Sequence, residues 1–157
     1  MACYDTAWIG VAADVETVLA ANVERGNLSG AANWLTGNGL DNVLVGDAVA
    51  SRLDGGGGND LIFGSAAADV LTGGAGFDTL YGYGGADRFV YAGAGWGTDL
   101  IAGFSQVDGA RLDFRGSGIA FAQLGLNSAN GNTQVSLGGD VILVFNATLT
   151  EADFLFG

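Results

Sequence analysis

The hydrophobic positions of this chain keep a fixed phase. Read in blocks of nine from residue 55, the sequence runs GGGGNDLIF, GSAAADVLT, GGAGFDTLY, GYGGADRFV. An Asp recurs at 60, 69, 78 and 87, and a large apolar residue follows two places later at Ile62, Leu71, Leu80 and Phe89. The phase extends backwards in weaker form. Asn33, Asn42 and Ser51 hold the acid position there, and Leu35, Leu44 and Leu53 hold the apolar one. A short fixed period marks a stacked architecture and is read before any other signal.

Each block holds a six-residue turn followed by three residues with an apolar side chain in the middle. Three residues suffice for a very short strand, whose alternate side chains point to opposite faces. The middle residue therefore points inward, and its neighbours, such as Leu61 and Phe63 around Ile62, point outward. Nine residues make half a coil, so two blocks complete one turn, with one strand in each of two facing sheets. Neither sheet can bury its apolar face alone, and stacking supplies the core. Glycines supply the positive-φ and close-approach positions of the turns. The predicted class is all-β: a right-handed parallel β-roll (a β-helix) capped by an irregular C-terminal β-hairpin segment.

Ahead of the phase, residues 11–21 fit a short helix, with Val15, Val18 and Leu19 on one face. Short strands leading into the first coils are the preferred reading, because Thr, Val, Trp and Ile are plentiful there. After Val90 the phase breaks. Strands are predicted at 99–104 and 110–114, and a short helix or irregular segment at 119–126. An antiparallel hairpin joins 133–137 to 140–145 across Gly138 and Gly139. Thr148 and Glu151 suggest a capping box. Such a tail would cover the open end of a solenoid. The chain divides into an N-terminal lead-in or cap (1–27), the roll (28–104) and a C-terminal cap (105–157).

The outward positions are not uniformly polar. Val45, Phe63 and Tyr81 lie eighteen apart and stack on one sheet beside Val43 and Leu61, while Arg52, Val70 and Arg88 occupy the matching place on the other. An apolar outward stripe calls for cover. Three readings stay open: the chain's own tail, a neighbouring domain or partner, and a sugar stacked on the rings.

Composition sharpens the picture. The chain has 157 residues with 29 Gly, no Pro and 49% apolar residues, enough for one domain with a core. Acids outnumber bases 17 to 5, for a net charge of -12; no Lys is present. That charge argues against nucleic acid and anionic lipid as partners. It also asks what neutralises the acids, and bound divalent cations are a natural answer. No stretch is apolar for long enough to span a membrane. The single cysteine, Cys3, forms no internal disulfide, which leaves metal as another staple. The opening MACYDTAWIG lacks the basic start and long apolar run of a signal peptide and reads as cut from a longer chain.

Spacing suggests how a cation would be held. Asp60 and Asp78 are one coil apart, and stacked strands lie ~4.8 Å apart. Calcium accepts six to eight oxygens at ~2.3–2.6 Å in loose geometry, so an ion between successive turns is within reach of an acid from each. The same holds on the opposite edge for Asp69 and Asp87. Glycine turns expose carbonyls that complete the set. The candidate metal residues are Gly55, Gly57, Asp60, Gly64, Asp69, Gly73, Ala75, Asp78, Gly82, Gly84 and Asp87. Asn42 is added as a weaker neutral ligand opposite Asp60, and Asp99 as closing a further site with Asp78 or Asp87. About two to five calcium ions are expected. Magnesium wants stricter order, and zinc or copper would want His or several Cys. The competing reading, Asp residues that merely cap tight turns, leaves stacked acids repelling one another. Asp41 stands one place out of phase. For Asp108 and Asp113, metal binding and ordinary surface acids both stay open.

An enzyme is not expected. The chain has no His and no Ser-based motif. Its carboxylate pairs, a glycosidase feature elsewhere, are better explained as metal ligands, and a filled roll offers no cleft.

The pattern G-G-x-G-x-D-x-U-x resembles the RTX, or haemolysin-type calcium-binding, nonapeptide repeat. Residues 55–63 and 73–81 match it at every defined place, and the blocks from 64 and 82 match in part. Residues 22–47 resemble the degenerate lead-in repeats of long RTX proteins. Residues 86–104 with 108–114 resemble the region after the repeats in serralysin-like C-terminal domains and alginate-epimerase R-modules. Ala102-Gly103 and Arg111 depart from that pattern. DFLF at 153–156 looks like the ending of type I secretion signals, which implies a signal at 148–156; Gly157 follows it. The resemblance implies a secreted protein of a Gram-negative bacterium, exported unfolded through the type I apparatus and folded outside by calcium. It implies that any catalytic domain lies outside this chain. The rival reading is an extracellular adhesin or polysaccharide-binding (alginate-like) module, with Val45, Phe63 and Tyr81 as its candidate surface.

Overall fold

The structure, a computed structural model, describes residues 5–10, 16–30 and 33–157. Cys3, Val15 and most of the predicted helix's first turn lie outside the described residues.

The strands run β1 Thr6–Ile9, β2 Glu16–Val18, β3 Arg25–Leu28, β4 Trp34–Asn38, β5 Val43–Val45, β6 Arg52–Gly57, β7 Leu61–Ser65 and β8 Val70–Ala75. They continue as β9 Thr79–Tyr83, β10 Arg88–Val90, β11 Thr98–Ala102, β12 Arg111–Asp113, β13 Gly125–Ala129, β14 Asn132–Leu137, β15 Asp140–Val144 and β16 Phe154–Leu155. Odd-numbered strands up to β11 stack in one sheet, ordered β1-β3-β5-β7-β9-β11-β15-β14-β13. Even-numbered ones other than β14 stack in the other, ordered β16-β12-β10-β8-β6-β4-β2. Successive strands of the chain thus alternate between two parallel sheets, which is the stacked-coil β-solenoid the nine-residue phase predicts.

The register shows why the period is strict. Leu44 pairs with Ile62 and Ile62 with Leu80, while Leu53 pairs with Leu71 and Leu71 with Phe89. Each step is eighteen residues. Leu35, Leu44, Leu53, Ile62, Leu71, Leu80 and Phe89 are each at most 1% exposed and form a ladder between the sheets. Burying one such side chain is worth roughly 1.5–3 kcal/mol, so the ladder is the main source of cohesion. The strands are longer than three residues: β6 and β8 run on through their glycines, with Gly56 paired to Gly74.

At the N-terminal end β1 pairs with β3 and β2 with β4, in line with the strand reading. Val18 is exposed and Leu19 buried, so the two share no helical face. At the other end the step lengthens. Leu80 pairs with Ile101, 21 residues on, and Phe89 with Leu112, 23 residues on. Against eighteen, these overlapping coils are longer by three and five residues, from three extra residues between Phe89 and Ile101 and two between Ile101 and Leu112.

The tail closes the roll by lengthening both sheets. β14 and β15 form the predicted antiparallel hairpin, with Leu137 opposite Asp140, and β13 adds to β14. β15 runs parallel to β11, and β16 runs parallel to β12. Residues 119–126 form a single 3-10 turn at Phe121–Gln123 and then enter β13. The cap before β16 is not the Thr148–Glu151 pair. Thr150 holds the position, its N–H and hydroxyl donating to Asp153 Oδ2 at 2.8 and 3.1 Å, because the 3-10 helix begins at Glu151.

The strands of the tail extend the sheet ends; they do not lie across the outward stripe. Phe63 and Tyr81 stack on each other, with ring centroids 5.1 Å apart and planes 17° apart. On the opposite sheet Arg52 sits over Trp34, 5.1 Å from the ring centroid.

Candidate metal centre

The turns lie along two edges of the roll. One edge carries Asn42, Asp60, Asp78 and Asp99, and the other carries Ser51, Asp69 and Asp87. All are buried, because each turn folds its polar side chain back over its own backbone.

The carboxylates form a ladder. One Oδ of each accepts a backbone N–H from the preceding coil: Asp60 from Asn42 at 2.7 Å, Asp78 from Asp60 at 2.8 Å and Asp99 from Asp78 at 3.2 Å. On the other edge Asp69 accepts from Ser51 at 2.6 Å and Asp87 from Asp69 at 2.9 Å. The second oxygens differ. Asp69 Oδ2 accepts the Ser65 N–H at 2.6 Å and the Ser65 hydroxyl at 3.1 Å. Those of Asp60, Asp78, Asp87 and Asp99 are buried with no hydrogen-bond partner. A buried, unpaired anionic oxygen is costly unless a donor or a cation meets it.

Glycine makes the room. A Cβ on Gly55 would fall 2.5 Å from the Gly73 carbonyl oxygen and closer still to Asp60 Oδ2. On Gly64 it would fall 2.7 Å from Asp69 Oδ2, on Gly82 2.5 Å from Asp87 Oδ2, and on Gly73 it would clash with Asp78 Oδ2. These absent methyl groups leave small cradles walled by oxygen, one below each of the four aspartates. Gly74, at φ 109°, turns the chain where a side chain would strike the Gly56 backbone.

The electrostatics agree. Burial pushes the Asp60 carboxyl up to about 7, and the Asp78, Asp41 and Asp54 charges add to the rise. Burial likewise raises Asp87 to about 7, helped by Asp69 and Asp108, and Asp99 to about 7, helped by Asp78. Asp69 and Asp78 are raised by burial as well. Without a counter-cation, burial shifts all five carboxyls toward the neutral acid.

The other predicted residues take simpler places. Gly57 pairs with Ala75 across β6 and β8 at the rim; the Ala75 carbonyl accepts the Gly58 N–H at 3.1 Å, and Gly84 N–H donates to Ser65 at 3.3 Å. Asn42 Oδ1 accepts the Asn38 N–H at 2.8 Å within its own turn. Asp41 accepts the Asn59 N–H at 2.7 Å. Asp108 is tied to the Ser105 hydroxyl at 2.7 Å. Asp113 sits between Arg88 and Arg115, whose hydrogen bonds hold its carboxyl well below the usual range. Asp113 is therefore a structural acid. Among the described residues no three His, Cys, Asp or Glu side chains converge.

Two residues escaped the sequence reading. Ser65 occupies a second-glycine place and satisfies Asp69 from within the chain. Asp140 pins the turn before β11, accepting the Gly95 N–H at 2.6 Å and the Gly97 N–H at 3.1 Å. Only the phase break after Val90 hinted that this turn needed a distant support.

Hard oxygen donors, unpaired buried carboxylate oxygens and cradles emptied by glycine suit a calcium ion. A family model for the RTX calcium-binding nonapeptide repeat, in four copies, matches residues 36–71 and again 63–101. No curated protein matches the chain. This family is structural rather than catalytic, and the span it matches takes in eighteen-residue coils and the first longer one, from Leu80 to Ile101. From residue 36 to residue 101, then, the chain matches the RTX calcium-binding nonapeptide repeat.

Proposed function

We propose that this chain is the calcium-triggered folding module of a larger secreted bacterial protein. The observation that carries this reading is the set of buried, unpartnered Oδ2 atoms at Asp60, Asp78 and Asp87, each beside a glycine cradle. Asp60 with the Gly73 carbonyl, Asp78 at Gly73, Asp87 at Gly82 and Asp69 at Gly64 would hold the ions, with carbonyls of the glycine turns as further ligands. Bound calcium supplies the positive charge that lets these carboxylates stay ionised while buried. Calcium binds the folded roll and not the unfolded chain, so its binding free energy becomes folding free energy.

Such a chain stays extended where calcium is scarce and folds where it is plentiful. That suits export in an unfolded form through a type I apparatus, followed by folding outside the cell. RTX proteins are typically secreted, which supports the same placement. In this reading residues 1–27 lead in, 28–104 are the roll, and 105–157 are the cap with the export signal at 148–156.

The test is far-ultraviolet circular dichroism with calcium and with chelator. The expected result is a disordered spectrum in chelator and a cooperative gain of β-structure on adding calcium. Identical spectra would overturn the proposal. The alternative, a polysaccharide-binding module, draws less support. Phe63 and Tyr81 turn their ring faces on each other, and a sugar needs those faces free.

A further inference from the structure

We propose that the second residue of each repeat turn grades the calcium sites: the Asp60, Asp78 and Asp87 turns fill first, and the Asp69 turn, closed from within by Ser65, fills last. This rests on the calcium reading above and ranks its sites.

Five successive turns, 37–42, 55–60, 64–69, 73–78 and 82–87, carry Asn38, Gly56, Ser65, Gly74 and Tyr83 as their second residues. The backbone sorts them into two kinds. Gly56 at φ 96°, Gly74 at φ 109° and Tyr83 at φ 66° stand in the left-handed region, and Asn38 and Ser65 do not. The side chains that end the turns sort the same way. The Ser65 N–H donates to Asp69 Oδ2 at 2.6 Å, and its hydroxyl donates to the same oxygen at 3.1 Å. The Asn38 N–H donates to Asn42 Oδ1 at 2.8 Å. Beyond the left-handed residues, the Oδ2 atoms of Asp60, Asp78 and Asp87 are buried and meet no donor among the described residues.

Tyr83 shows that the backbone, and not the residue type, goes with the difference. Glycine reaches the left-handed region freely, whereas a bulky side chain enters it at a cost. Tyr83 stands there, stacked on Tyr81 at 6.0 Å, and Asp87 Oδ2 is left unpartnered as in the two glycine turns. Ser65 is tied from both sides. The Ala67 N–H donates to its hydroxyl oxygen at 3.0 Å, while its own proton goes to Asp69. A carboxylate oxygen offers two lone pairs. Both on Asp69 Oδ2 are taken, and the other oxygen accepts the Ser51 N–H at 2.6 Å. An ion at Asp69 must therefore displace donors that ions at the Oδ2 atoms of Asp60, Asp78 and Asp87 never meet. Hydrogen bonds to a charged group are among the stronger ones.

Calcium isotherms by titration calorimetry on the full chain test this. The wild type is expected to fold with a tight set of ions and then to take a last ion about tenfold or more weakly. Asp69→Asn is expected to lose only that weak step. Ser65→Gly, which removes the hydroxyl and puts the repeat's own residue at the second place, is expected to tighten the last step by about tenfold. Ser65→Ala keeps the N–H bond and is expected to move it part of the way. A weak step that neither Ser65 variant moves, or an ion lost from the tight set in Asp69→Asn, would overturn the ranking and leave the calcium reading standing. A wild-type chain that takes up no calcium would overturn the calcium reading and the ranking with it.

Discussion

Asp78 Oδ accepts the backbone N–H of Asp60 at 2.8 Å, one coil away, while its other oxygen has no donor. One half of the carboxylate is thus spent on holding successive coils in register, and the other half is left over. Asp69 differs: its first oxygen takes the Ser51 N–H in the same way, but its second is spent within its own turn on the Ser65 N–H and hydroxyl.

Replacing Asp78 by Asn separates the two roles. An amide oxygen can still take the Asp60 N–H, but the charge is gone. Asp78→Asn is expected to raise the calcium midpoint of folding by about tenfold or more, equivalent to a loss of about 1.4 kcal/mol. Asp47 offers the comparison, because among the described residues its carboxylate accepts the Gly30 and Ala48 N–H groups at the surface. Asp47→Asn is expected to leave the midpoint close to wild type. Titration followed by circular dichroism reads both, and equal shifts would contradict the register.

Gly55 and Gly57 lie two residues apart and behave oppositely. Neither has positive φ, so alanine imposes no backbone strain at either. A methyl group on Gly55 enters the cradle between Asp60 and the Gly73 carbonyl, whereas one on Gly57 meets nothing within 4 Å. Gly55→Ala is expected to lose one calcium ion and roughly 1–3 kcal/mol of stability. Gly57→Ala is expected to stay within about 0.5 kcal/mol of wild type. Urea melts in calcium, with ion counting, decide between them.

The raised carboxyls set a pH dependence. A group whose folded pKa lies above its unfolded value stabilises the fold below the unfolded value and loses that contribution as pH climbs through the folded one. Asp60, Asp87 and Asp99 move from 3.8 to about 7. In chelator, therefore, residual β-structure is expected to be greatest near pH 4 and to disappear by about pH 7. In calcium the competition reverses the outcome, since protons displace the ion, and the calcium midpoint is expected to rise as pH falls from 8 to 6. A chelated chain equally unfolded at both ends of that range would count against burial as the cause.

The C-terminal strand has its own anchor. Phe154 stacks on Phe114 at 6.1 Å and meets Phe121 at 5.3 Å, while Leu112 pairs with Phe154 in the ladder. Phe154→Ala is expected to cost about 3–5 kcal/mol in calcium melts. The number of bound ions should not change, because the cradles lie on earlier coils. A drop in ion number would mean that the cap reaches further into the roll than its contacts indicate.

The nine-residue phase by itself determined the coil. It specified which residues point inward, that strands alternate between two parallel sheets, and that acids one coil apart fall into columns. That information is local and repeated, so each copy corrects ambiguity in the next. The hairpin around Gly138 and Gly139 was legible for the same reason, since its turn residues sit between two apolar runs.

Tertiary structure decided what depends on pairs distant in the chain. Asp140 supports a turn 43 residues before it, and no period announces that contact. Asp113 is claimed by Arg88 and Arg115, a competition invisible from spacing alone. The position of the 3-10 helix moved the cap from Thr148 to Thr150. Above all, Tyr91 stands in a glycine's place where insertions of three and then two residues end the uniform coils. A repeat specifies its own interior, where every neighbour is a copy of itself; its end must be met by unlike residues, and their fit is settled only when the chain has folded back on them.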